Sequence, residues 1–281
     1  MPLYKEELRY FITAALDEDI GAGDLTTLAT IPADAQLKAD MNARETMVIA
    51  GIDIAAKIIH TVDSAIKVEI MVQDGVEVTA GNVIMRLEGN ARNILTAERS
   101  ALNVLQHLSG IATLTRQYVK EIEHTDCRLL DTRKTIPMYR KLAKYASRMG
   151  GAMNHRMRLD DGILIKDNHI ASIGSVEKAI TAAKEYGSTR STIGITVECD
   201  TLDQAAEAVN AGADRLLLDN MTLDMLEVVV AKYKDQVKLE ASGGITLETI
   251  KLIAETGVDY ISVGRITQSA PAVDIGLDYL N

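Results

Sequence analysis

The sequence predicts an α/β protein in which a parallel sheet of βα units follows a smaller antiparallel region. After residue 125, short aliphatic strand patterns alternate with helical patterns, as expected of βα units. Glu198, Asp219 and Glu240 end successive predicted strands at a constant interval of 21 residues. A unit of this length with right-handed crossovers favours a barrel, and a doubly wound open sheet is the alternative.

The amino-terminal region predicts helices around a small antiparallel sheet. Its elements are a helix over 4–19, a turn at 24–27, strands between 36 and 89 with a helix near 51–62, and a helix from Ala91 to about Glu123. Apolar spacing predicts the helices, and alternating apolar residues predict the strands. Gly21 and Gly23 end the first helix, and Ser109 and Gly110 are expected to loosen the long one.

The carboxyl-terminal half predicts six strands with helices between them. The strand patterns are CRLLD (127–131), GILIK (162–166), IGITVE (193–198), RLLLD (215–219), VKLEA (237–241) and YISVG (260–264). The helical patterns cover 137–148, 174–187, 201–211, 222–234 and 246–256. In a barrel built from such units, the carboxyl ends of all strands share one face, and that face holds the active site.

The composition is that of an ordinary globular protein, with 47% apolar and 25% charged residues. A net charge of −10 and the absence of Trp disfavour binding to nucleic acid or to anionic lipid. The longest run without Lys, Arg, Asp or Glu has 16 residues and contains several polar ones, so no membrane span is predicted. Two isolated cysteines and the absence of a signal-peptide pattern predict a cytoplasmic location.

Positive charge is concentrated between Arg128 and Lys166, where ten basic residues face three acidic ones. In an acidic protein such an island favours a small polyanionic ligand, although a solvated basic helix over 140–148 explains part of it. The cations placed at strand ends or in the intervening loop are Arg133, Lys134, His155, Arg156 and Lys166. Together they predict a site for a multiply charged anion, and each one separately also fits a surface salt bridge. Thr135 and Pro137 predict the cap and first turn of the helix that follows.

The carboxylates of Glu198 and Asp219 are predicted to face the same basic site, at the mouth formed by the carboxyl ends of the strands. They would hold Mg²⁺ or stabilise a cationic transition state, since otherwise they would repel an anionic ligand. Neutralisation of the lysines is the alternative role. The sequence contains no zinc-ligand spacing and no recognised Ser or Cys nucleophile motif.

Two glycine-containing loops follow the last two predicted strands. Residues 242–244 precede a helix, so their backbone N–H groups and the helix N-terminus predict an anion site. Residues 263–265 follow the next strand, and loops at these places in barrels often bind phosphate. A pair of plain tight turns is the alternative.

Several motifs resemble the quinolinate phosphoribosyltransferase family. They are DIGAGDLTT, ERSALNVLQHLSGIAT, LDTRKT, NHRMRLDDGILIKDNHI, VECD, LLLDN, LEASGGI and SAPAVDIGLDYL. They span the chain from end to end, and several run for eight or more residues, so the resemblance is specific.

This resemblance implies a reaction, a fold and an assembly. Quinolinate and phosphoribosyl pyrophosphate would give nicotinate mononucleotide, CO₂ and pyrophosphate, with Mg²⁺, in NAD biosynthesis. The implied fold is an incomplete parallel α/β barrel over 107–267, with an N-terminal α/β sandwich domain over 1–106 that 268–281 completes. The implied assembly is a homodimer or larger even oligomer, in which Arg99 reaches the neighbouring subunit's site.

The resemblance also implies roles for residues at matching positions. Those that contact quinolinate would be Arg99, Thr132, Arg133, His155, Arg156 and Lys166. The catalytic contacts to phosphoribosyl pyrophosphate and its metal would be Lys134, Glu198 and Asp219. The 5′-phosphate would lie against Ser242, Gly243, Gly244, Val263, Gly264 and Arg265.

The chain departs from the family pattern at four positions near the implied site. Ile136 and Met138 replace Thr and Gly, Arg265 replaces a small residue, and Gln268 replaces His. Gln268 still donates a hydrogen bond but does not titrate. Other functions that remain open are a nicotinate phosphoribosyltransferase without decarboxylation, a non-catalytic nucleotide or sugar-phosphate sensor, and an isomerase-type phosphate-binding barrel.

Overall fold

The computed structural model describes residues 5–187 and 194–280. This part of the chain forms two compact units. The first comprises the described residues of Met1–Arg116, Lys141–Gly151 and Ser269–Asn281, and the second comprises Gln117–Arg140 and those of Ala152–Gln268. Residue 4 of the first predicted helix, residue 193 of the third barrel strand, and residues 1–4 and 281 of the predicted sandwich lie outside the described residues.

Helices and strands make up most of the described residues. The helices are α1 (Lys5–Ile20), α2 (Leu25–Thr30), α3 (Ile52–Val62), α4 (Ala91–Ile122), α5 (Arg140–Gly150), α6 (Asp167–Ile173), α7 (Val176–Gly187), α8 (Leu202–Asn210), α9 (Leu223–Tyr233), α10 (Leu247–Glu255) and α11 (Arg265–Gln268). The strands are β1 (Gln36–Ala43), β2 (Met47–Val48), β3 (Lys67–Ile70), β4 (Glu77–Val78), β5 (Val83–Asn90), β6 (Arg128–Leu130), β7 (Ile163–Ile165), β8 (Ile195–Cys199), β9 (Arg215–Asp219), β10 (Lys238–Ser242), β11 (Tyr260–Ser262) and β12 (Ile275–Tyr279).

The first unit contains the predicted antiparallel sheet, with strand order β12-β1-β5-β3. The carboxyl-terminal strand β12 pairs with β1, so the end of the chain completes this sheet. The predicted loosening of α4 at Ser109 and Gly110 is wrong, because the helix is continuous there. Gly110 instead allows a close contact, since a Cβ on it would lie 2.0 Å from the Pro271 carbonyl oxygen.

The turn predicted at 24–27 is also wrong, because residues 25–30 form the short helix α2. Asp24 caps this helix, and its Oδ1 accepts a hydrogen bond from the Thr27 backbone N–H at 3.0 Å. An Asp in extended conformation before a helix satisfies backbone donors that have no intrahelical partner. The residues typical of a turn therefore serve here as a helix start.

The second unit contains six parallel strands in the order β6-β11-β10-β9-β8-β7. The first strand of the unit pairs with the last, which is the neighbour relation of a barrel and not of a doubly wound sheet. The predicted incomplete parallel α/β barrel is confirmed. Val197, Leu218 and Leu239 are fully buried, and burial of each such side chain contributes about 1.5–3 kcal/mol to folding.

Three helices of this half differ from the prediction. The sequence predicted neither α6, which follows β7, nor the short helix α11. The helix predicted from 137 begins at Arg140, so Thr135 and Pro137 are not its cap and first turn. Within the described ranges, no helix is both long and apolar enough to cross a bilayer.

Candidate active site

The carboxyl ends of the parallel strands bring several of the predicted site residues of the second unit to one edge of the sheet. Ser242 pairs in register with Asp219 on the neighbouring strand. Ile165 pairs with Val197, so the residues that follow them, Lys166 and Glu198, lie side by side. Their charges form an ion pair, in which Lys166 Nζ donates to Glu198 Oε2.

The two carboxylates at this edge differ in their partners. Glu198 is buried and already carries the Lys166 ion pair, which agrees with the alternative role of neutralising a lysine. Asp219 is half-buried, and its Oδ2 accepts a hydrogen bond from Asn220 Nδ2 at 2.7 Å. Of the two carboxylates, Glu198 has a salt-bridge partner. Asp219 has none among the described residues.

Glu198 and Asp219 fit a Mg²⁺ ion only if the substrate and water molecules supply most of its ligands. No group of three or more His, Cys, Asp or Glu side chains suited to a metal occurs in the described part of the chain. Mg²⁺ is commonly held by one or two carboxylates together with substrate phosphates and water. Glu198 and Asp219, on adjacent strands, supply hard oxygen donors of that kind.

The first glycine loop is shaped by a close backbone contact. Gly243 has φ of 94°, and a Cβ on it would lie 2.3 Å from Asn220 Oδ1. Asn220, at φ of 54°, donates its backbone N–H to the Ser242 carbonyl at 2.9 Å. Since glycine alone meets both requirements at 243, this loop is more than a generic turn.

The second glycine loop packs against Lys134. A Cβ on Gly264 would lie 2.8 Å from Lys134 Cδ. Thr267 Oγ1 donates to the Lys134 carbonyl at 2.8 Å, and the Lys134 backbone N–H donates to Thr132 Oγ1 at 3.0 Å. Lys134 is thereby held beside the loop that was predicted to bind phosphate.

Arg133 and Arg156 form the most strongly cationic part of the site. Within residues 5–187 and 194–280, Arg133 Nε is buried without a hydrogen-bond partner. Burial and the nearby charge of Arg133 lower the pKa of Arg156. Arg156 Nη1 donates to the Gly162 carbonyl at 2.9 Å, which fixes one side of its guanidinium. Two close guanidinium groups, one with an unsatisfied donor, complement a ligand with more than one carboxylate.

Arg140 is a residue that the sequence did not single out. Its three guanidinium nitrogens donate to Thr135 Oγ1 at 3.2 Å and to the carbonyls of Arg133 and Met157 at 3.3 Å each. It therefore ties the Arg133 loop to the loop after Arg156. The sequence placed Arg140 in a solvated basic helix, and only the fold shows that it begins α5 facing two loops.

Glu240 does not end its strand as the sequence predicted. Both Glu198 and Glu240 pair in register with Leu217, so the 21-residue interval does not mark equivalent positions at the mouth. Glu240 is fully buried, its Oε2 accepts from Arg215 Nη1 at 3.0 Å, and its Oε1 lies 3.4 Å from His155 Nε2. Burial opposes its ionisation, but the neighbouring His155 N–H and Arg215 outweigh burial and lower the pKa of Glu240.

Asp131 supports the other side of the same loop. This buried residue follows β6, and its two carboxylate oxygens accept from the His155 backbone N–H at 2.9 Å and from Asn154 Nδ2. In the sequence, Asp131 is only the last residue of the predicted strand CRLLD. Its structural role is to anchor the His155–Arg156 segment to the barrel.

Met138 occupies a backbone conformation that suits glycine. The Tyr139 backbone N–H donates to the Ile136 carbonyl at 3.2 Å, and Pro137 and Met138 are the central residues of this turn. Met138 has φ of 65° and is 89% exposed. A proline followed by a residue with positive φ is the pattern of a type II turn, in which glycine is favoured at the second position.

Met138→Gly is expected to stabilise the protein by about 0.5–1 kcal/mol, because removal of the Cβ relieves the left-handed strain and little burial is lost. Guanidinium unfolding of the two proteins measures the difference. Ile136→Gly is the matched control, because Ile136 lies in the same turn but does not have a positive φ. This substitution should lower the free energy of unfolding by about 1 kcal/mol. Equal destabilisation by both substitutions would contradict the strain at Met138.

Arg99 is the one predicted site residue in the first unit, where it is exposed on α4. The remaining predicted residues all belong to the second unit, and of these His155 and Arg156 lie in the loop between α5 and β7. Val263 is buried next to Gly264, and Arg265 is exposed at the start of α11. Their predicted contacts with phosphate stay predictions.

Comparison with known proteins shows matches along nearly the whole chain. Residues 24–109 match the N-terminal domain and residues 111–278 the C-terminal domain of quinolinate phosphoribosyl transferase. The chain is 41% identical over 273 residues to nicotinate-nucleotide pyrophosphorylase (carboxylating) of Mycobacterium leprae, covering 95% of each protein. It is 41% identical to the quinolinate phosphoribosyltransferase (decarboxylating) 2b of Nicotiana tabacum, covering 96% of this chain and 82% of that one. The solved nicotinate-nucleotide pyrophosphorylase of Francisella tularensis superposes with a TM-score of 0.95 at 40% identity, over 99% and 98% of the two chains.

Proposed function

The chain belongs to the quinolinate phosphoribosyltransferase family, and from this membership we propose how its residues carry out the reaction. The enzyme transfers the phosphoribosyl group of phosphoribosyl pyrophosphate to quinolinate. The products are nicotinate mononucleotide, CO₂ and pyrophosphate, in the biosynthesis of NAD. Side chains at the mouth of the barrel, where the parallel strands end, carry out each step of this reaction.

The observation that carries the assignment is the pair of neighbouring guanidinium groups of Arg133 and Arg156. Quinolinate has two adjacent carboxylates, whereas nicotinate has one. Two close cations that repel each other are stabilised more by a dianion than by a monoanion. Arg133 Nε supplies an unsatisfied buried donor for that dianion in the described structure. We therefore assign the quinolinate carboxylates to Arg133 and Arg156, with Lys166 and Thr132 beside them.

Phosphoribosyl pyrophosphate binds on the other side of the mouth, against the two glycine loops. Gly243 packs against Asn220 and Gly264 against Lys134, whereas the space in which a Cβ of Gly244 would lie is open, so we assign the phosphate to the backbone at Gly244. The helix α10 that follows Gly244 adds its N-terminal partial charge. Lys134, packed on Gly264, supplies a full positive charge for the pyrophosphate that leaves.

The chemical step is displacement at the anomeric carbon of the ribose. The pyridine nitrogen of quinolinate forms the new bond as the bond to pyrophosphate breaks, through an oxocarbenium-like transition state. Asp219 and Glu198 favour the positive charge that develops on the sugar, and Lys134 favours the negative charge on the leaving group. When Mg²⁺ is bound with the pyrophosphate by Asp219 and Glu198, it supplies additional charge neutralisation there.

Decarboxylation follows from the charge left by the first step. Once the pyridine nitrogen is quaternary, breaking the bond to the adjacent carboxylate leaves its electron pair beside a positive nitrogen. The carbon then takes up a proton and CO₂ leaves. Arg133 and Arg156 hold the ring during both steps, so their contribution is orientation rather than covalent chemistry.

We also propose a homodimeric or larger even assembly in which Arg99 of one copy completes the quinolinate site of another. The exposure of Arg99 on α4 supports this role, because an exposed guanidinium group is accessible to a second copy of the chain. A cytoplasmic location is proposed because Cys127 and Cys199 are buried free thiols, and burial raises the pKa of each to about 12.

The purified protein is expected to release CO₂ and pyrophosphate in equal amounts from quinolinate and phosphoribosyl pyrophosphate, and to lose at least tenfold in rate when EDTA removes Mg²⁺. A coupled assay for both products measures this. Nicotinate in place of quinolinate is the matched control. Faster turnover with nicotinate would favour the non-decarboxylating transferase, and binding without pyrophosphate release would favour a sensor.

A further inference from the structure

The buried Glu240 carboxylate begins a chain of contacts that ends at the substrate-binding residue Arg156. Glu240 Oε1 lies 3.4 Å from His155 Nε2. On the other side of the ring, His155 Nδ1 accepts the Arg156 backbone N–H at 2.8 Å. The imidazole therefore lies between the carboxylate and the backbone of Arg156, and 13% of its side chain is exposed.

These two contacts identify the tautomer of the His155 ring. A backbone amide only donates, so the Nδ1 atom that accepts from it carries no proton. The proton of the neutral ring is then on Nε2, which faces the carboxylate of Glu240. Both ring nitrogens thus face groups of the protein, Nδ1 through a hydrogen bond and Nε2 through the 3.4 Å contact with Glu240.

The groups around the ring come from four strands of the barrel or from residues next to them. Asp131, after β6, accepts the His155 backbone N–H at 2.9 Å. Arg215, on β9, donates to Glu240 Oε2 at 3.0 Å, and its guanidinium carbon lies 4.4 Å from the centre of the Tyr260 ring. Glu240 is therefore oriented by Arg215, with Oε1 left pointing at the imidazole. Among the described residues, Oε1 has no hydrogen bond of ordinary geometry, and its contact with His155 Nε2 at 3.4 Å is an ion-pair contact.

We propose that Glu240 is a positioning residue for quinolinate binding, which acts by holding His155 in the Nε2–H tautomer and, through Nδ1, the backbone at Arg156. This role rests on the proposed binding of quinolinate by Arg156. The direct contact of His155 with quinolinate that the family resemblance implied stays a prediction. A shift of the Arg156 backbone would move its guanidinium away from Arg133 and weaken binding of the second carboxylate.

Glu240→Gln tests the proposal with little change in volume. Arg215 needs an oxygen acceptor, so the new amide turns its oxygen to Arg215 and its NH₂ group to His155. Two donors then face each other unless the imidazole proton moves to Nδ1, where it opposes the Arg156 N–H. We expect the KM for quinolinate to rise on the order of tenfold, with the KM for phosphoribosyl pyrophosphate unchanged.

Arg215→Met in the Glu240→Gln background provides the rescue. Without Arg215, the amide is free to turn its oxygen to His155 and restore the tautomer. The double variant is expected to recover a KM for quinolinate within about threefold of the wild type. A further loss of quinolinate binding in a folded double variant would indicate a purely structural role for Glu240 and overturn the proposal.

Nitrogen-15 NMR of the histidine rings tests the tautomer in the unaltered protein and needs no variant to fold. His155→Gln identifies the signal by its loss. The expected spectrum shows the neutral form of the ring with its proton on Nε2, and an Nδ1–H tautomer would overturn the proposal. If the tautomer and the Glu240 rescue hold but Arg156→Ala leaves quinolinate binding unchanged, the proposed function of Arg156 fails instead.

Discussion

Lys134→Ala is expected to lower kcat about 100-fold while the KM for quinolinate stays near the wild-type value. The side chain packs on Gly264, and its loop is fixed by Thr132 and Thr267, so the ammonium group is held beside the proposed phosphate site. Negative charge develops on the leaving pyrophosphate only as the bond breaks. A cation placed there therefore stabilises the transition state more than the bound substrates.

Steady-state kinetics with each substrate varied separately measure this effect. Lys251→Ala removes an equally charged but exposed lysine on α10 and should leave both constants unchanged. Wild-type kcat in Lys134→Ala would refute the assignment of Lys134 to the leaving group. A parallel rise in the KM for quinolinate would instead place Lys134 in the quinolinate site.

The inactive Lys134→Ala chain also tests the proposed sharing of Arg99 between copies. It is mixed with an Arg99→Ala chain under conditions that exchange subunits. A hybrid dimer then has one site in which both Lys134 and Arg99 are altered and one site in which both are wild type. Recovery of activity on mixing supports an Arg99 donated across the interface. Two inactive variants that stay inactive after verified exchange would place Arg99 in the site of its own chain.

The architecture of the barrel follows from local patterns that a sequence displays directly. Each strand is a short aliphatic run buried on both faces, and each run is separated from the next by a helix. The pairing of β6 with β11 is not local, because it joins segments more than a hundred residues apart. Local sequence patterns therefore do not distinguish a barrel from an open sheet.

The errors in the prediction have identifiable local causes. The helix α2 has six residues, three of them Thr, so helix propensity gave no signal and only the Asp24 cap marks it. Pro137 fits either the first turn of a helix or the second position of a turn. The positive φ of Met138 decides for the turn, and no side-chain pattern in the sequence reveals that φ.

The charged groups of the site were predictable as a set, because strand ends in a parallel sheet share an edge. Their connections were not predictable. Glu240 and Glu198 share a register position, yet one pairs with Arg215 inside the barrel and the other with Lys166 at the mouth. The neighbouring cations make that distinction, and a constant sequence interval concealed it.

Arg156→Ala is expected to lower kcat/KM for quinolinate by about 30- to 1000-fold, the effect of removing one partner of a partly desolvated charge pair. The guanidinium is held by the Gly162 carbonyl and lies close enough to Arg133 for the two charges to interact. Without it, one quinolinate carboxylate would face Arg133 alone. The loss should appear in the KM for quinolinate and leave the KM for phosphoribosyl pyrophosphate unchanged.

Arg158→Ala is the matched control, since Arg158 lies two residues away, is 71% exposed and pairs only with the exposed Asp160 among the described residues. It should retain wild-type constants. Because nicotinate offers one carboxylate, its weak binding should fall much less than that of quinolinate when Arg156 is removed. An equal loss for both ligands would mean that Arg156 supports the site in general, and the second carboxylate would then need another cation.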